Sequence, residues 1–446
     1  MQSPGFTAVE PSRPPSFDWL GFLAMSALPF IALYQGVGSA LGVLVTFDTV
    51  TEALIGILAL TACAILRVPR LIVALSNAAV SRAALYLAFY LLVVFVSTLL
   101  VFVDPIERDP SRMTLQFLST VPPVMLFFVL VASPGPAAAI RSLRASLLVW
   151  AIAAVLTPLT AFTPLPIGEV QGTYVGSAGL RSFGVLGDAG TFVISFLVVA
   201  TFATRRMIWF LLSMFALVLS GSRMALVVAG VGIALVLVLG DPKAAIQRPG
   251  AKALRAMGAI GLMLVLLLIV QFVFSAVSEQ LGVLNAIERL QETNISGSDR
   301  FFSARQGLEW FQLSPFYGHG FNSYYYFSLR GSIFGANQAN ALNQVVQTLM
   351  DGGLLALLFL MLFFLQVLWP KKGHQLIDRR SDPFAIKAWL LAFVVVNQTA
   401  VYILPAFSLT ALVFGLAGVS LYLEVSAKPS RTGVPSQPRP AAAPVC

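Results

Sequence analysis

The sequence predicts an all-α polytopic membrane protein with about twelve transmembrane helices and one large loop that contains short helices. The chain is 58% hydrophobic and only 11% charged, whereas soluble domains carry about 25% charged residues. Apolar runs near the length of a membrane span recur along it, which is typical of helical membrane proteins. One long polar break, residues 276–343, interrupts these runs. Its many aromatic residues favour a folded loop over a disordered one.

The chain divides into one membrane domain and two polar, Pro-rich tails. We expect disordered tails at residues 1–17 and 426–446, and a single transmembrane domain over residues 18–425. Arg67, Arg70 and Arg82 are predicted to share one basic loop. In order, the apolar runs predict helices over residues 18–35, 48–66, 83–103, 115–132, 146–162, 191–203, 207–220, 224–239, 257–274, 344–368, 384–404 and 407–425.

The distribution of basic residues predicts the orientation in the membrane. With a cytoplasmic N-terminus and twelve alternating helices, the cytoplasmic side receives twenty of the 28 lysines and arginines, including every lysine. This bias follows the positive-inside rule. We therefore expect both tails in the cytoplasm and residues 276–343 on the outer side. The outer side keeps the other eight basic residues: Arg108, Arg112, Arg181, Arg223, Arg289, Arg300, Arg305 and Arg330.

The outer arginines are candidates for binding an anion, because a guanidinium matches phosphate or carboxylate bidentately and keeps its charge. Arg108 has acids on both sides, which favours a local ion pair. Arg223 ends a Ser-Gly-Ser-Arg segment at a helix mouth and has no acid nearby in sequence. A charged side chain at such a position usually marks function. For Arg181, Arg223 and Arg300 we favour anion binding over pairing with an outer acid.

Four segments together resemble the O-antigen ligase and Wzy-type polysaccharide polymerase family. The segment SGSRMALVVAGVGIALVL (220–237) resembles the Ser-Gly-Ser-Arg start of a family helix, and LRSFGVLGDAGTFVISFLV (180–198) resembles the Arg-x-x-Gly-x-Phe segment. The segment SDRFFSARQGLEWFQLSPFYGHGFNSY (298–324) resembles the Arg, Trp and Pro-x-x-Gly-x-Gly part of the family's periplasmic loop. The segment LNQVVQTLMDGGLLA (342–356) resembles the junction to the next helix.

This resemblance has one departure. The family junction usually begins His-Asn, and Leu342 stands where that histidine belongs, followed by the expected Asn343. Asp351 matches the usual acid of the segment. The family histidine is the proposed base of the ligases, so base chemistry needs another group here. His319 is a relocated base in one interpretation, since its pKa suits general-base work, and a turn residue in the other.

The resemblance implies glycan transfer at the periplasmic face of a bacterial inner membrane. The donor would be a glycan on undecaprenyl diphosphate, and the acceptor a glycan or a lipid-linked glycan. Arg181, Arg223 and Arg300 are expected to hold the diphosphate, with Arg300 and His319 as the catalytic candidates. The sugars are expected to contact aromatic and amide side chains: Trp310, Tyr324, Gln338 and Asn343.

Among these functions we favour a polymerase that joins lipid-linked repeat units into exopolysaccharide or O-antigen. The alternative is the ligase that moves the glycan to lipid A-core, and a polysaccharide or lipid transporter is the third hypothesis. Membrane lipids, a repeat-unit flippase and a chain-length regulator are candidate partners, and nucleic acid is not expected. No cofactor is predicted, and the loop lacks the pattern of a metal site.

Overall fold

The computed structural model describes residues 17–26, 62–103, 109–162, 174–176, 179–181, 187–219, 223–239, 303–331, 343–369, 382–396 and 407–426. Helices dominate these residues. They are α1 (Val68–Leu75), α2 (Ala78–Leu100), α3 (Pro110–Val131), α4 (Pro136–Phe162), α5 (Gly187–Ala203), α6 (Met207–Leu219), α7 (Arg223–Leu239), α8 (Ser323–Gly331), α9 (Gln344–Leu368), α10 (Asp382–Val396) and α11 (Phe407–Ser426). Shorter helical stretches cover residues 19–26, 62–66 and 303–311.

A small hairpin lies between α4 and α5. Strands β1 (Tyr174–Gly176) and β2 (Gly179–Arg181) pair antiparallel, with Tyr174 opposite Arg181. The hairpin was not predicted, because its residues form part of a polar loop in the sequence.

Within the described residues, three helices are long and apolar enough to span a membrane: 78–100, 113–131 and 344–368. Shorter apolar helices cover residues 191–203, 207–217, 224–237, 383–396 and 412–426. The chain is therefore a helical membrane protein. The twelve-helix count and the side on which the large loop lies stay predictions. The predicted helix at 257–274, most of the one at 48–66 and the tails at 1–16 and 427–446 lie outside the described residues.

The structure places on helices four arginines that the predicted helix bounds leave in loops. Helix α4 begins at Pro136, ten residues before the predicted start, and therefore carries Arg141 and Arg144. A proline near the start of a helix is favourable, because its missing N–H would have no helical partner there. Arg70 similarly lies on α1 and Arg82 on the first turn of α2. Hydropathy locates the apolar part of a helix, and a helix can extend beyond it.

The core lies where helices distant in sequence pack together. Helix α3 packs on α11, α2 on α9, and α5 contacts α6, α7 and α10. The Phe127 ring of α3 meets Phe363 of α9 at 5.4 Å between centroids, and Phe363 meets Phe414 of α11 at 5.5 Å. Trp389 of α10 packs edge-on against Phe196 of α5 and donates from Nε1 to Ser195 Oγ at 2.9 Å. These contacts join most of the described helices into one core.

A buried ion pair holds the N-terminal helical stretch against the other described helices. Asp18 and Arg67, each 3% exposed, form a salt bridge, and Arg67 Nη1 also donates to Val129 O. Asp18 Oδ2 accepts from Ser133 Oγ at 2.9 Å, and Asp18 N donates to Ser142 Oγ at 2.9 Å. Burial lowers the pKa of Arg67, and the Asp18 carboxylate opposes that shift. Arg67 was predicted in a loop, but it is buried because this carboxylate compensates its charge.

A second pair lies between α10 and α11. Lys387 Nζ donates to Glu424 Oε2 at 2.9 Å, and the Glu424 side chain is 1% exposed. Because the buried carboxylate of Glu424 is paired with the partly buried ammonium of Lys387, its charge is tolerated in the helical core.

Candidate functional site

The candidate site is built around a break in α9. Gly353 adopts φ 70° and ψ −165° inside this helix, in the left-handed half of the backbone map that favours glycine. A Cβ here would overlap the carbonyl group of Phe316. The opposing segment, residues 312–322, is called the insertion loop below. Its Gly318 also has φ 70°, and a Cβ there would lie 2.6 Å from Gly352 N. The break and the loop therefore leave room only for glycine at their closest approach.

The break releases backbone groups of α9, and the insertion loop binds them. In an unbroken helix Leu354 N would donate to Met350 O. Here Leu354 N donates instead to Pro315 O at 2.9 Å, and Met350 O accepts from His319 N at 2.6 Å. Broken helices inside membrane proteins are stable only where such groups find partners. The insertion loop is therefore part of the fold of α9.

Asp351 is the acid at the break and is fully buried, with 0% exposure. Its Oδ1 accepts from Asn322 N and from Gln347 Nε2, each at 3.0 Å. Its backbone carbonyl accepts from Gly320 N at 3.2 Å. A buried carboxylate is costly unless hydrogen bonds surround it. These contacts therefore hold the carboxylate of Asp351 in a fixed position where the loop meets the helix.

The insertion loop is also fastened to two neighbouring helices. Phe321 N donates to Thr98 Oγ1 of α2 at 2.9 Å, and the buried Phe321 ring packs edge-on against Phe117 of α3. Asn322 Nδ2 donates to Gln116 Oε1 of α3 at 3.2 Å. Asn322 itself has φ 56°, a left-handed conformation that asparagine adopts more readily than most residues. The loop thus bridges α2, α3 and α9.

His319 lies in the insertion loop next to the break and is half-buried. Its Nε2 lies 2.9 Å from Trp310 O, and its ring packs edge-on against Phe327 at 4.8 Å. A carbonyl oxygen only accepts hydrogen bonds, so Nε2 is the protonated nitrogen in this contact. In the neutral ring Nδ1 is then the basic nitrogen. Both interpretations of His319 stay open: a turn residue, here half-buried rather than exposed, and a relocated base.

The predicted sugar-binding residues differ in burial and therefore in the surface that they can present to a sugar. Trp310 is half-buried and packs on Tyr324 at 5.3 Å between ring centroids. Tyr324 is 1% exposed and donates to Ser303 O at 3.2 Å, and its burial raises its pKa. This burial argues against the predicted stacking of Tyr324 on a sugar, because its ring belongs to a small core. Asn343 caps α9, with Oδ1 accepting from Val346 N at 3.1 Å.

Two of the predicted phosphate-binding arginines, Arg181 and Arg223, lie on different elements of the fold. Arg181 ends β2, and Arg223 begins α7, and for both the structure describes the backbone alone. Arg300, Gln338 and Leu342 lie outside the described residues. The roles predicted for Arg181, Arg223, Arg300 and Gln338 stay predictions.

Arg305, one of the arginines predicted on the outer side, has a simpler role. Arg305 Nε donates to Glu309 Oε1 at 3.1 Å across one turn of the helical stretch at 303–311, and both side chains are at least 60% exposed. An exposed pair at this spacing contributes little to stability. Arg305 therefore offers a control position close in sequence to Arg300.

The residues that fasten the loop escaped prediction from the sequence. Thr98 and Gln116 carried no local signal, because their partners on the loop are distant in sequence. The adjacent Gly352 and Gly353 inside a long apolar run were the one available sign of a break. Within the described chain, no group of three or more His, Cys, Asp or Glu side chains could hold a metal ion.

Comparison with known families finds a match, and it covers the segment that contains this site. Residues 208–361 match the family model for O-antigen ligase. The match runs from α6 through the insertion loop and beyond the break in α9, so it includes Arg223, His319 and Asp351. No curated protein matches the chain. The segment from residue 208 to residue 361, about a third of the chain, is therefore similar to the O-antigen ligase family, and it lies in a protein rich in apolar helices.

Proposed function

We propose that this protein joins undecaprenyl-diphosphate-linked repeat units into exopolysaccharide or O-antigen at the periplasmic face of the inner membrane. The family match supports glycan transfer of the polymerase or ligase type. The observation that carries the proposal is the junction of the insertion loop with the broken α9, which holds the buried Asp351 beside the His319 backbone. Rigidly held polar groups next to a helix break are a recurrent way to build a site in a membrane protein.

The reaction is a displacement at the anomeric carbon of the donor sugar. A hydroxyl oxygen of the acceptor sugar forms the new bond to this carbon, and the bond from the carbon to the diphosphate oxygen breaks. The hydroxyl proton passes to a base, and undecaprenyl diphosphate leaves with the electron pair of the broken bond. Two demands follow: a proton acceptor near the hydroxyl and positive charge near the leaving diphosphate.

In this proposal the positive charge comes from arginine. Arg181, Arg223 and Arg300 bind the diphosphate, since a guanidinium matches phosphate oxygens in pairs. Arg223 begins α7, and the matched family segment includes both Arg223 and Arg300. Because the negative charge on the leaving group grows during the reaction, donors placed in advance lower the barrier.

His319 is the proposed base. Its Nε2 is engaged with Trp310 O, so Nδ1 is the basic nitrogen that takes the acceptor proton. Trp310, half-buried beside it, supplies an aromatic surface for a sugar ring, and Gln338 and Asn343 supply amides. Asp351 holds the insertion loop on which His319 lies, through its contacts with Asn322 and Gly320.

The alternative function is the ligase, which shares the donor and differs in the acceptor. Leu342 at the position of the family histidine favours the polymerase, since that histidine is the proposed base of the ligases. A transporter is the third hypothesis. Purified protein with lipid-linked repeat units, assayed with and without lipid A-core, distinguishes the three. A polymerase yields a ladder of longer lipid-linked glycans, a ligase yields product only when lipid A-core is added, and a transporter leaves the glycan unchanged.

Lysine substitution tests the diphosphate site in the same assay. We expect Arg223→Lys and Arg300→Lys each to reduce polymer by about tenfold or more at equal protein level, because a point charge does not replace a bidentate fork. Unreacted lipid-linked units should accumulate. Arg305→Lys is the matched control, since Arg305 is exposed and paired with Glu309, and it should make normal polymer. Normal polymer from both site variants would refute the diphosphate clamp.

The base is tested with His319→Gln, which keeps a donor for Trp310 O and removes the titrating group. We expect loss of transfer, unchanged thermal unfolding, and loss of the acidic limb that a histidine base gives to the pH–rate profile. If His319→Gln retains both the rate and the pH profile, His319 is a turn residue and another group accepts the proton.

A further inference from the structure

A cavity of about 330 Å³ lies between α4, α5 and α6, and none of the residues that line it belongs to the candidate site described above. Its size falls within the range of small-ligand pockets. Most of its wall is apolar, but two arginines and three hydroxyl side chains contribute to it. The lining residues are Arg144, Ala145, Leu147, Leu148, Leu197, Ala200, Thr201, Thr204, Arg206, Trp209 and Ser213.

The charged side chains that line this cavity are both positive. Arg144 lies on α4 and Arg206 at the start of α6, and both are exposed, so they stand where the cavity meets its surroundings. No acidic side chain is among the residues that line it. The cavity therefore combines two guanidinium groups at its rim with an apolar interior.

The turn between α5 and α6 fixes the position of Arg206. Arg205 has φ 57°, and its N–H donates to Phe202 O at 3.1 Å, while Arg206 N donates to Thr201 O at 2.9 Å. These two bonds and the left-handed residue form a Schellman motif, in which glycine is usual at the position of Arg205. The chain thus reverses tightly and brings Arg206 beside the α5 residues that line the cavity.

We propose that this cavity binds the head group of an anionic phospholipid of the surrounding bilayer. The two guanidinium groups match its phosphate, and Leu147, Leu148 and Leu197 offer an apolar surface to the first part of an acyl chain. Trp209, 38% exposed, has the amphipathic ring that is enriched at the membrane–water interface. Basic pockets between transmembrane helices on the cytoplasmic side commonly bind acidic lipid head groups. This cavity belongs to the side that we expect to be cytoplasmic, so its lipid is distinct from the polyprenyl donor.

The test uses the full-length protein in detergent and follows thermal unfolding during titration with dioleoylphosphatidylglycerol or dioleoylphosphatidylcholine. We expect phosphatidylglycerol to raise the unfolding temperature more than phosphatidylcholine, because ligands that bind the folded state stabilise it. Replacing both arginines (Arg144→Gln with Arg206→Gln) should weaken the apparent affinity for phosphatidylglycerol by about thirtyfold.

A control with the same change in net charge carries Arg70→Gln and Arg82→Gln. Both arginines are exposed on α1 and α2, outside the cavity, so the affinity should change by about twofold or less. Retained lipid counted by native mass spectrometry gives a second readout that does not depend on stability. An equal loss in both double variants would show general surface electrostatics and overturn the proposal. The proposal also fails if phosphatidylglycerol has no advantage, or if inorganic phosphate stabilises the protein equally well.

Discussion

Helices α2 and α9 pack against each other, and each is long and apolar enough to span a membrane, yet their backbones differ. Helix α2 runs without a break from its cap at Asn77 to Leu100. Helix α9 begins in the same way, with Asn343 as its cap, and then breaks at Gly353. Overall hydrophobicity therefore does not separate a structural helix from one that builds a site. The difference comes from one backbone angle and from the loop that fills the gap.

The two helices consequently contribute different groups to the insertion loop. Helix α2 forms its own backbone hydrogen bonds and contacts the loop through the side chain of Thr98. Helix α9 offers two carbonyl groups and one N–H from its backbone, together with the carboxylate of Asp351. We expect substitutions in α9 to affect the site more than substitutions in α2, and three predictions test this order.

The largest effect is expected for Gly353→Ala. An alanine would adopt an unfavourable left-handed conformation, and its Cβ would overlap the carbonyl group of Phe316. The insertion loop would have to move away, leaving Met350 O and Leu354 N without their present partners. We expect a loss of about 3 kcal/mol or more in the free energy of unfolding, from strain and lost hydrogen bonds together. Thermal unfolding in detergent measures it.

Gly135→Ala is the matched control, since Gly135 has open space where a Cβ would lie. It should change the free energy of unfolding by about 0.5 kcal/mol or less. If Gly353→Ala unfolds at the same temperature as Gly135→Ala, the break does not require glycine and the contrast between α2 and α9 fails.

The same contrast shows what the sequence could predict. The bounds of α9 were predicted in full, because Asn343 is a good cap and the apolar run that follows has the length of a membrane span. The break was not predicted, because hydropathy averages over many residues and does not report the φ angle of Gly353. The contact between Asp351 and Asn322 was also not predictable, since Asn322 reaches the carboxylate only after the insertion loop has folded.

At the ends of helices the sequence predicts loops where the structure has helical or buried residues. The start of α4 at Pro136 escaped prediction because Arg141 and Arg144 resemble a basic loop in a hydropathy profile. A helix that leaves the membrane keeps its hydrogen bonds and carries charges without cost on its exposed side. Burial of Arg67 escaped prediction because Asp18, its partner, lies 49 residues away along the chain.

The second prediction concerns the charge at the break and uses Asp351→Asn. The amide oxygen can still accept from Asn322 N and Gln347 Nε2, so the free energy of unfolding should fall by only about 1–2 kcal/mol. Polymer formation in the assay with lipid-linked repeat units should fall by about tenfold or more, because a neutral amide accepts weaker hydrogen bonds than a carboxylate and places the loop less rigidly.

The amount of polymer made per folded protein distinguishes a structural role of Asp351 from a role in the reaction. If Asp351→Asn makes normal polymer, hydrogen-bonding capacity at residue 351 is sufficient and its charge has no part in the reaction. If its stability falls as far as that of Gly353→Ala, the charge is required to hold the loop.

The smallest effect is expected on the α2 side, for Thr98→Val. Thr98 is fully buried, and its Oγ1 accepts from Phe321 N and donates to Val94 O. Valine keeps the shape and removes the acceptor, so the buried N–H of Phe321 loses its partner. We expect a loss of about 1–2 kcal/mol in the free energy of unfolding, with polymer formation reduced less than in Asp351→Asn.

The neighbouring Ser97→Ala is the control. Ser97 Oγ is buried without a hydrogen-bond partner among the described residues, so its removal should change stability by about 0.5 kcal/mol or less. Thr98→Val removes the bond to the loop together with the bond to Val94 O, whereas Ser97→Ala removes a hydroxyl with neither. Equal stability in the two variants would mean that α2 merely packs beside the loop, and that α3 and α9 alone hold it in place.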